Sequence, residues 1–166
     1  MREGDIGKAI QYRNENNGRL DKFKGGDKIS NQELLSLDVD VLIPAALENA
    51  ITDKNASKIK AKIIVEGANG PTSHEADAIL QKKGIIAVPD ILANAGGVIV
   101  SYFEWVQNLQ QFKWTEDEVN KKLEAKMVQA FKEVHDVKMK QKIPMRIASF
   151  MVAIDRVERS YTLRGG

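Results

Sequence analysis

The sequence holds two apolar runs of strand length, and each run ends in a turn rich in glycine and asparagine. The first run, residues 63–65, is followed by the turn 66–71; the second, residues 85–88, leads through Pro89 to the turn 93–97. In open α/β sheets, ligands lie beyond the carboxyl ends of the strands, where loops present backbone amides and short polar side chains. The repeat of strand and polar turn therefore predicts one ligand-facing edge built from both turns.

A third strand is predicted before these two. Residues 39–43 are rich in β-branched side chains, and Pro44 ends the run. Helical patterns with short connections separate the strands, so the order is β-α-β-α-β followed by helix. This order predicts an α/β fold with a parallel sheet and right-handed crossovers, which is half of a doubly wound domain. We expect the side of residues 39–43 or of residues 63–66 to lack a neighbouring strand, and such an edge tends to recruit another chain.

Three segments match the helical capping box, in which a Ser or Thr and a Glu three residues later satisfy each other's backbone amides. They begin at Ser30, Thr72 and Thr115. In addition, Asp5 is expected to cap a first helix that ends near residues 16–18. The sequence thus places four helix starts by local chemistry alone.

The chain after Gly97 is predicted to be helical, because apolar side chains recur there at helical spacing. Pro144 is expected to begin the last helix. Three stripes are expected to be buried: Tyr102, Trp105, Val106 and Leu109; then Val119, Leu123, Met127, Ala130, Phe131 and Val134; then Ile147, Phe150, Ile154, Val157 and Tyr161.

The charge and cysteine content exclude some classes of partner. The 166 residues carry 25 basic and 23 acidic side chains, and this net charge of +2 gives no electrostatic case for nucleic acid. The absence of cysteine excludes disulfides and thiolate metal sites, and it is compatible with a reducing cytoplasm. No apolar run reaches the length of a membrane span, so we predict a soluble cytoplasmic protein with no membrane partner.

Few side chains are candidates for acid–base or metal chemistry. Glu66 and Asp90 each end a strand at the same expected sheet edge, where paired carboxylates could transfer protons. The favoured interpretation is that they hold the two turns by hydrogen bonds. His74 and His135 have no second ligand at metal spacing, so we expect no metal site. No serine arrangement typical of a nucleophile is visible, and no catalytic residue is assigned.

Two asparagines and two glycines carry more information about a ligand. The Asn69 and Asn94 side chains each offer a carbonyl acceptor and an NH₂ donor, the complement of a carboxamide such as that of nicotinamide. Gly96 and Gly97 are expected to put unshielded amides at the start of a helix over residues 98–111, where the dipole favours a polar or anionic group. Asparagine also caps turns without any ligand, so both interpretations stay open from the residues alone.

Four long motifs resemble one known family. They are DVDVLIPAALENAIT (38–52), VEGANGPTSHEAD (65–77), PDILANAGGVIVSYFEWVQN (89–108) and RIASFMVAIDRVERSYTLRG (146–165). In this order they resemble the C-terminal portion of the glutamate dehydrogenase family, which also contains leucine, phenylalanine and valine dehydrogenases. The resemblance implies the second half of a Rossmann-type dinucleotide-binding domain over residues 1–111. A C-terminal helical segment would follow over residues 112–166.

The resemblance implies roles for five residues, matched position by position. Ala46 would lie against the dinucleotide, Asn69 would contact the ribose next to the nicotinamide, and Asn94 the nicotinamide end. Val98 and Ser101 match positions that line the amino-acid pocket, and the Ser101 hydroxyl favours glutamate because it would bind the side-chain carboxylate. The implied reaction is the reversible oxidative deamination of L-glutamate to 2-oxoglutarate and ammonia, with NAD or NADP as cofactor.

Two parts of the family pattern are not found in this sequence. The 166 residues contain neither a glycine-rich dinucleotide fingerprint nor an N-terminal substrate domain with its catalytic lysine and aspartate. We therefore expect a truncated enzyme that is inactive alone, that needs the N-terminal substrate domain as a partner, and that forms a homo-oligomer. The alternative is a catalytically inactive α/β module that binds a nucleotide or self-associates.

Overall fold

The computed structural model of the chain describes residues 3–165. The elements, in chain order, are α1 (Glu3–Glu15), α2 (Asn31–Leu35), β1 (Val41–Leu42), α3 (Asp53–Ala56), β2 (Ile63–Val65), α4 (His74–Lys82), β3 (Ile86–Val88), α5 (Asp90–Ala93), α6 (Gly96–Gln110), α7 (Glu116–Gln141) and α8 (Met145–Leu163). The β-α-β-α-β order followed by helices is therefore confirmed. No helix within this range is long and apolar enough to cross a membrane.

The strands form one parallel sheet in the order β1-β2-β3. Val41 pairs with Ile63 across the first two strands, and Ile63 pairs with Ile86 across the second two. The predicted α/β fold with a parallel sheet is confirmed, although β1 and β3 are shorter than their apolar runs. Of the two alternatives for the open side, the structure selects residues 39–43, which hold β1, because β2 is the central strand. Within the described residues, β1 and β3 are the edge strands.

The described chain divides into two compact units, one ending at Leu35 and one beginning at Ser36. The first unit holds α1 and α2, and the second holds the sheet and all later helices. The functional division expected between residues 1–111 and 112–166 concerns nucleotide binding, and it stays a prediction.

The start of α1 differs from the prediction. The helix begins at Glu3, so Asp5 lies inside it and the expectation that Asp5 is the cap residue is wrong. An N-cap preference of about 1 kcal/mol does not prevent a helix from extending through the residues before it. The predicted end is correct, because Asn17 and Gly18 adopt positive φ angles of 52° and 80° directly after the helix.

Two of the three predicted capping boxes form. The Glu33 amide donates to Ser30 Oγ over 3.2 Å, and the Ser30 amide donates to Glu33 Oε2 over 2.8 Å. The same reciprocal pair joins Thr115 and Glu118 at the start of α7, with distances of 3.3 and 2.7 Å. Both boxes confirm that the local sequence decides where these helices begin.

The third predicted box, from Thr72, does not form. Ser73 is the cap residue of α4, and its hydroxyl accepts from the Ala76 amide over 3.3 Å. Thr72 instead forms a parallel bridge with Ile51, so the extended backbone continues one residue further than predicted. Tertiary pairing therefore moves the helix start by one residue, and the neighbouring serine takes over the cap.

The predicted burial of apolar stripes is correct only for α7. Val134 is buried there and four other members of its stripe are half-buried, whereas Phe131 is 42% exposed. On α6, the predicted stripe is wrong, since Tyr102 and Trp105 are each 56% exposed. The buried side chain of that helix is Phe103, whose ring lies 5.6 Å from the ring of Trp114.

The stripe predicted for α8 is also wrong. All five of its members are exposed: Ile147, Phe150, Ile154, Val157 and Tyr161. The buried side chains of α8 are Met145, Ala148 and Ser149 near its start. Apolar periodicity identifies the apolar face of a helix, but it does not show whether any element of the same chain covers that face.

A hydrophobic cluster joins the helices that follow the sheet. It consists of Leu92 from α5, Val134 from α7, and Met145 and Ala148 from α8. Burying a side chain the size of leucine contributes about 1.5–3 kcal/mol to folding. The cluster therefore fixes the start of α8 beside the carboxyl ends of the strands.

Candidate functional site

One open cleft of about 840 Å³ lies at the carboxyl ends of the strands. The loop after β1, the loop after β2 and the segment from the end of α5 into α6 line it. All five residues selected from the sequence lie on its wall: Ala46, Asn69, Asn94, Val98 and Ser101. The fold thus brings together side chains separated by up to 55 positions, from Ala46 to Ser101.

The first two loops are held close together by their backbones. The Ala68 amide donates to the Pro44 carbonyl over 2.9 Å, which ties the loop after β2 to the end of β1. A Cβ atom on Gly67 would lie 3.1 Å from the Ala45 Cβ, a tight approach. Glycine at this position lets the loops approach closely enough for Ala46 and Asn69 to share one cleft.

The two asparagines are bonded to each other. Asn94 Nδ2 donates to Asn69 Oδ1 over 2.6 Å, and it lies 3.4 Å from the Gly67 carbonyl oxygen. Within residues 3–165, the side-chain NH₂ group of Asn69 and the side-chain oxygen of Asn94, Oδ1, have no hydrogen-bond partner. The pair therefore offers one donor group and one acceptor to a ligand, which is the complement of a carboxamide.

The residues after Asn94 form the other wall of the cleft. α6 begins at Gly96, so the two glycines form its first turn and the helix starts two residues earlier than predicted. Apart from its chain neighbours and the backbone of its own helix, nothing lies within 4 Å of the place where a Cβ would stand on Gly97, and this leaves the backbone open to a ligand. Ser101 Oγ donates to the Gly97 carbonyl over 3.0 Å, so its lone pairs remain available as acceptors. Val98 is 75% exposed on the same wall.

The two strand-end carboxylates hold the turns, as favoured from the sequence. Glu66 Oε2 accepts from the Asp90 amide over 2.9 Å, and Asp90 Oδ2 accepts from the Gly70 amide over 2.8 Å. These bonds join the turn after β2 to the start of α5. The Glu66 side chain is fully buried and is absent from the cleft wall. The acid–base alternative therefore has no support from the geometry.

Arg146, at the start of α8, was missed by the sequence analysis. Its Nη2 atom lies 2.6 Å from Glu66 Oε1, and its Nη1 atom lies 3.4 Å from Asp90 Oδ1. It also forms an ion pair with Asp77 through Nε. Its partners lie 56 to 80 positions earlier, so no local pattern reveals them. The only local signal is a cation in the first turn of a helix, where the dipole disfavours positive charge.

The charge state of Arg146 follows from its burial and from the carboxylates around it. Burial acts to lower the pKa of its guanidinium, but the hydrogen bonds that it donates to Asp77 and Glu66, together with the negative charges of these carboxylates, outweigh burial and raise that pKa further above its ordinary value. The guanidinium is therefore always charged and can donate from both ends of its fork. It supplies a positive charge to three carboxylates whose mutual repulsion would otherwise open the cluster.

The histidines lie outside the cleft. His135 Nδ1 is 4.0 Å from an Asp136 oxygen, and its ring stacks on Phe131 at 5.9 Å between ring centroids. His74 is the first residue of α4 and is exposed. In the described part of the chain, no group of three His, Cys, Asp or Glu side chains could hold a metal ion.

Sequence comparison gives a consistent result over nearly the whole chain. A model of the family described as Glutamate/Leucine/Phenylalanine/Valine dehydrogenase matches residues 2–165. Glutamate dehydrogenase from Thermotoga maritima is 55% identical over 161 residues, which are 97% of this chain and 38% of the relative. The cryptic catabolic NAD-specific glutamate dehydrogenase GudB from Bacillus subtilis is 52% identical over 84% of this chain and 33% of its own length.

Structural comparison agrees with the sequence comparison. The Leu-bound hetero-hexameric glutamate dehydrogenase from Thermus thermophilus superposes with a TM-score of 0.87 and 30% identity, over 98% of this chain and 38% of that chain. This chain therefore spans roughly a third of the length of the relatives it matches.

Proposed function

Because this chain belongs to the Glutamate/Leucine/Phenylalanine/Valine dehydrogenase family, we propose that it forms the nicotinamide-facing part of a glutamate dehydrogenase. The reaction would be the reversible oxidative deamination of L-glutamate to 2-oxoglutarate and ammonia. The observation that carries the proposal is the cleft at the sheet edge, where five residues from three separate segments of the chain share one wall. A module that only self-associates would have no need for the polar side chains of Asn69, Asn94 and Ser101 to converge there.

The residues of the cleft fit a nicotinamide cofactor. The bonded pair of Asn69 and Asn94 leaves one amide donor group and one amide acceptor free, as recognition of a carboxamide and a ribose hydroxyl requires. The open backbone at Gly97 and the small side chain of Ala46 leave room for flat rings and a sugar. When bound, the nicotinamide ring supplies hydride acceptance. In the reaction, Asn94 would orient the nicotinamide end and Asn69 the adjoining ribose.

The amino-acid substrate would lie against the start of α6. Ser101 keeps its acceptor lone pairs and can rotate its hydroxyl away from Gly97 to donate to the side-chain carboxylate of glutamate. Val98 would pack against the methylene groups of the same substrate. Both side chains are exposed in the cleft, so binding would bury them without a change of backbone.

Two relatives bear on the preferred cofactor and on the oligomer. One relative carries NAD-specific in its name, which favours NAD over NADP for this chain. Another relative is described as hetero-hexameric, which favours an oligomer here. The open side of β1 supports association, since Val41 and Ile43 are 47% and 60% exposed beside unpaired strand backbone. We propose that this edge pairs with the polypeptide that carries the catalytic lysine and aspartate.

A second function is favoured by the exposed apolar surface alone. A catalytically inactive α/β module would use the β1 edge and the outer face of α8 only for self-association. The two functions differ in what happens to the asparagine pair, because self-association leaves Asn94 unused. Substitution of Asn94 therefore separates them.

The test is a chimera of the Thermotoga maritima enzyme in which this chain replaces the 161 matched residues. We expect glutamate-dependent reduction of NAD, followed by absorbance, in the chimera and none in this chain alone. Asn94→Ala should lower the activity by about 10²-fold or more, because a misplaced nicotinamide loses the near-attack geometry. Asn120→Ala, on an exposed part of α7, is the matched control and should have no effect.

Substrate choice gives a further readout in the same chimera. Ser101→Val should impair the use of glutamate much more than the use of leucine, since the valine leaves the substrate carboxylate without a partner. Equal loss with both amino acids would show that Ser101 does not bind the carboxylate. A folded chimera without any activity would favour the self-association module.

A further inference from the structure

We propose that Arg146 is a positioning residue: through Glu66 and Asp90, it fixes the turns that carry Asn69 and Asn94. This inference rests on the proposed function for its catalytic consequence, but its structural part stands on the geometry of the chain. The residue lies outside the cleft and does not touch the substrate or the cofactor site. It would act only through the backbone that it holds.

The first step of the argument is the convergence of three carboxylates on one guanidinium. Arg146 Nη2 donates to Glu66 Oε1 over 2.6 Å and to Asp77 Oδ1 over 3.2 Å, and Nη1 donates to Asp90 Oδ1 over 3.4 Å. The side chains of Asp77 and Asp90 are only 25% and 23% exposed, and that of Glu66 is fully buried. A planar fork that serves three acceptors at once allows few relative orientations of the strands and helices that carry them.

The second step is that these carboxylates hold the backbone of the turns by hydrogen bonds. The other oxygen of Glu66 accepts from the Asp90 amide, and Asp90 Oδ2 accepts from the Gly70 amide. Asn69 thus lies in a short turn whose two ends, Glu66 and Gly70, are both tied to Asp90. The Asn94 amide donates to the Asp90 carbonyl over 3.0 Å, so Asn94 ends the helical turn that begins at the same anchor.

The third step asks why an ion cluster occupies this position. Replacing a buried ion pair by apolar side chains is often neutral or stabilising, so stability alone does not require Arg146 here. The residue lies in the first turn of α8, where the helix dipole acts against a cation. An apolar side chain would fill the same space, but it would not make directional hydrogen bonds. The hydrogen bonds of the guanidinium fix the orientation of the turn after β2 and of the turn that begins α5.

The structure also offers a matched comparison. Arg156, about three turns further along α8, forms an ion pair with Glu133 of α7. That pair joins two helices as well, but its side chains are 54% and 40% exposed and it contacts neither turn. A lysine at either position keeps the positive charge and loses the planar fork. Arg146→Lys and Arg156→Lys therefore make the same chemical change and differ only in which carboxylates lose the guanidinium.

The first experiment uses the chain by itself. We expect Arg146→Lys to shift the NMR signals of the Asn69 and Asn94 side-chain amides, while the helical circular dichroism spectrum stays unchanged. Arg156→Lys should leave both amide signals in place. Should Arg146→Lys fail to fold, Asp77→Asn weakens one arm of the fork, keeps the Glu66 contact, and should shift the same signals by a smaller amount.

The second experiment uses the chimera described above. We expect Arg146→Lys to lower kcat by about tenfold or more, because the nicotinamide is no longer held in attack geometry. The KM for glutamate should change by less than about threefold, since Ser101 is not bonded to this cluster. Arg156→Lys should change neither quantity.

Two results would overturn the proposal. One is unshifted asparagine amide signals in a folded Arg146→Lys chain; the other is the same kinetic change in Arg146→Lys and Arg156→Lys. An inactive wild-type chimera would instead refute the proposed function, and the NMR comparison would still decide whether Arg146 positions the two asparagines.

Discussion

The side chains at the carboxyl end of the sheet are paired within the chain, whereas the outer faces of α6 and α8 are exposed. At the sheet end, Glu66 and Asp90 find every partner inside the chain, from Arg146 to the Gly70 amide. On α8, by contrast, Val157 is 70% exposed together with its apolar neighbours. The geometry of the asparagine pair is therefore set by this chain itself. The exposed helical face is a surface of the kind that marks an interaction with another polypeptide.

The largest effect is expected from breaking the buried ion cluster. Glu66→Ala removes a buried carboxylate and leaves Arg146 without its fully buried partner, so the free energy of unfolding should fall by about 3–5 kcal/mol. Glu133→Ala breaks the exposed pair with Arg156 and should cost about 0–1 kcal/mol. Urea unfolding of both variants measures the difference. Equal losses would mean that the cluster at the sheet end is no more important for stability than a surface ion pair.

The next largest effect compares two apolar side chains. Leu92 is 6% exposed in the cluster beneath α8, and Leu92→Ala should lower the free energy of unfolding by about 2–5 kcal/mol because it leaves a cavity. Val157→Ala, on the exposed face of α8, should change it by less than about 0.5 kcal/mol. Thermal unfolding of the chain alone provides the values. If Val157→Ala were as harmful as Leu92→Ala, the face of α8 would be covered in solution, for example by self-association.

A smaller effect tests which residue begins α4. Ser73→Ala should cost about 1 kcal/mol, because the Ala76 amide loses its acceptor. Thr72→Val keeps the extended bridge to Ile51 and removes a buried hydroxyl that has no partner among the described residues, so it should be neutral or slightly stabilising. Urea unfolding separates the two variants. A larger loss of unfolding free energy in Thr72→Val than in Ser73→Ala would indicate that Thr72 is the cap residue.

The smallest effect is a pH dependence at the exposed start of α7. The Thr115 amide and hydroxyl hydrogen-bond to the Glu118 carboxylate and lower its pKa below the ordinary value of 4.5. A lowered folded-state pKa means that this stabilisation is present above pH 4.5 and is lost as the pH falls through the lower, folded-state value. The Thr115 amide signal should therefore move in NMR spectra only below about pH 4.5. Movement between pH 6 and 8 would show that the capping box does not hold the carboxylate.

The sequence was informative where the determining contacts are local. The boxes at Ser30 and Thr115 formed as predicted, and the strands appeared where β-branched residues cluster before a proline or glycine. The motif match selected Ala46, Asn69, Asn94, Val98 and Ser101, and the structure places all five on one wall. Their functional roles stay predictions, because a shared cleft does not identify its ligand.

The sequence was misleading where the outcome depends on a distant neighbour. It predicted burial for the apolar stripes of α6 and α8, although most of their members are exposed. It also placed the cap of α4 at Thr72, which the pairing with Ile51 moved by one residue. In each case the local pattern was real, but a local pattern does not show whether a distant element packs against it.

By itself, the sequence determined the order of strands and helices, the family and the polar turns at the strand ends, because propensity, capping and motif spacing act over a few residues. Only the tertiary structure decided that Arg146 meets Glu66, Asp77 and Asp90, at separations of 56 to 80 positions. Such a contact exists only after the parallel sheet has aligned its strand ends and the hydrophobic cluster has docked the start of α8 against them. The direction of a guanidinium fork in a nearly dry site is set by that packing.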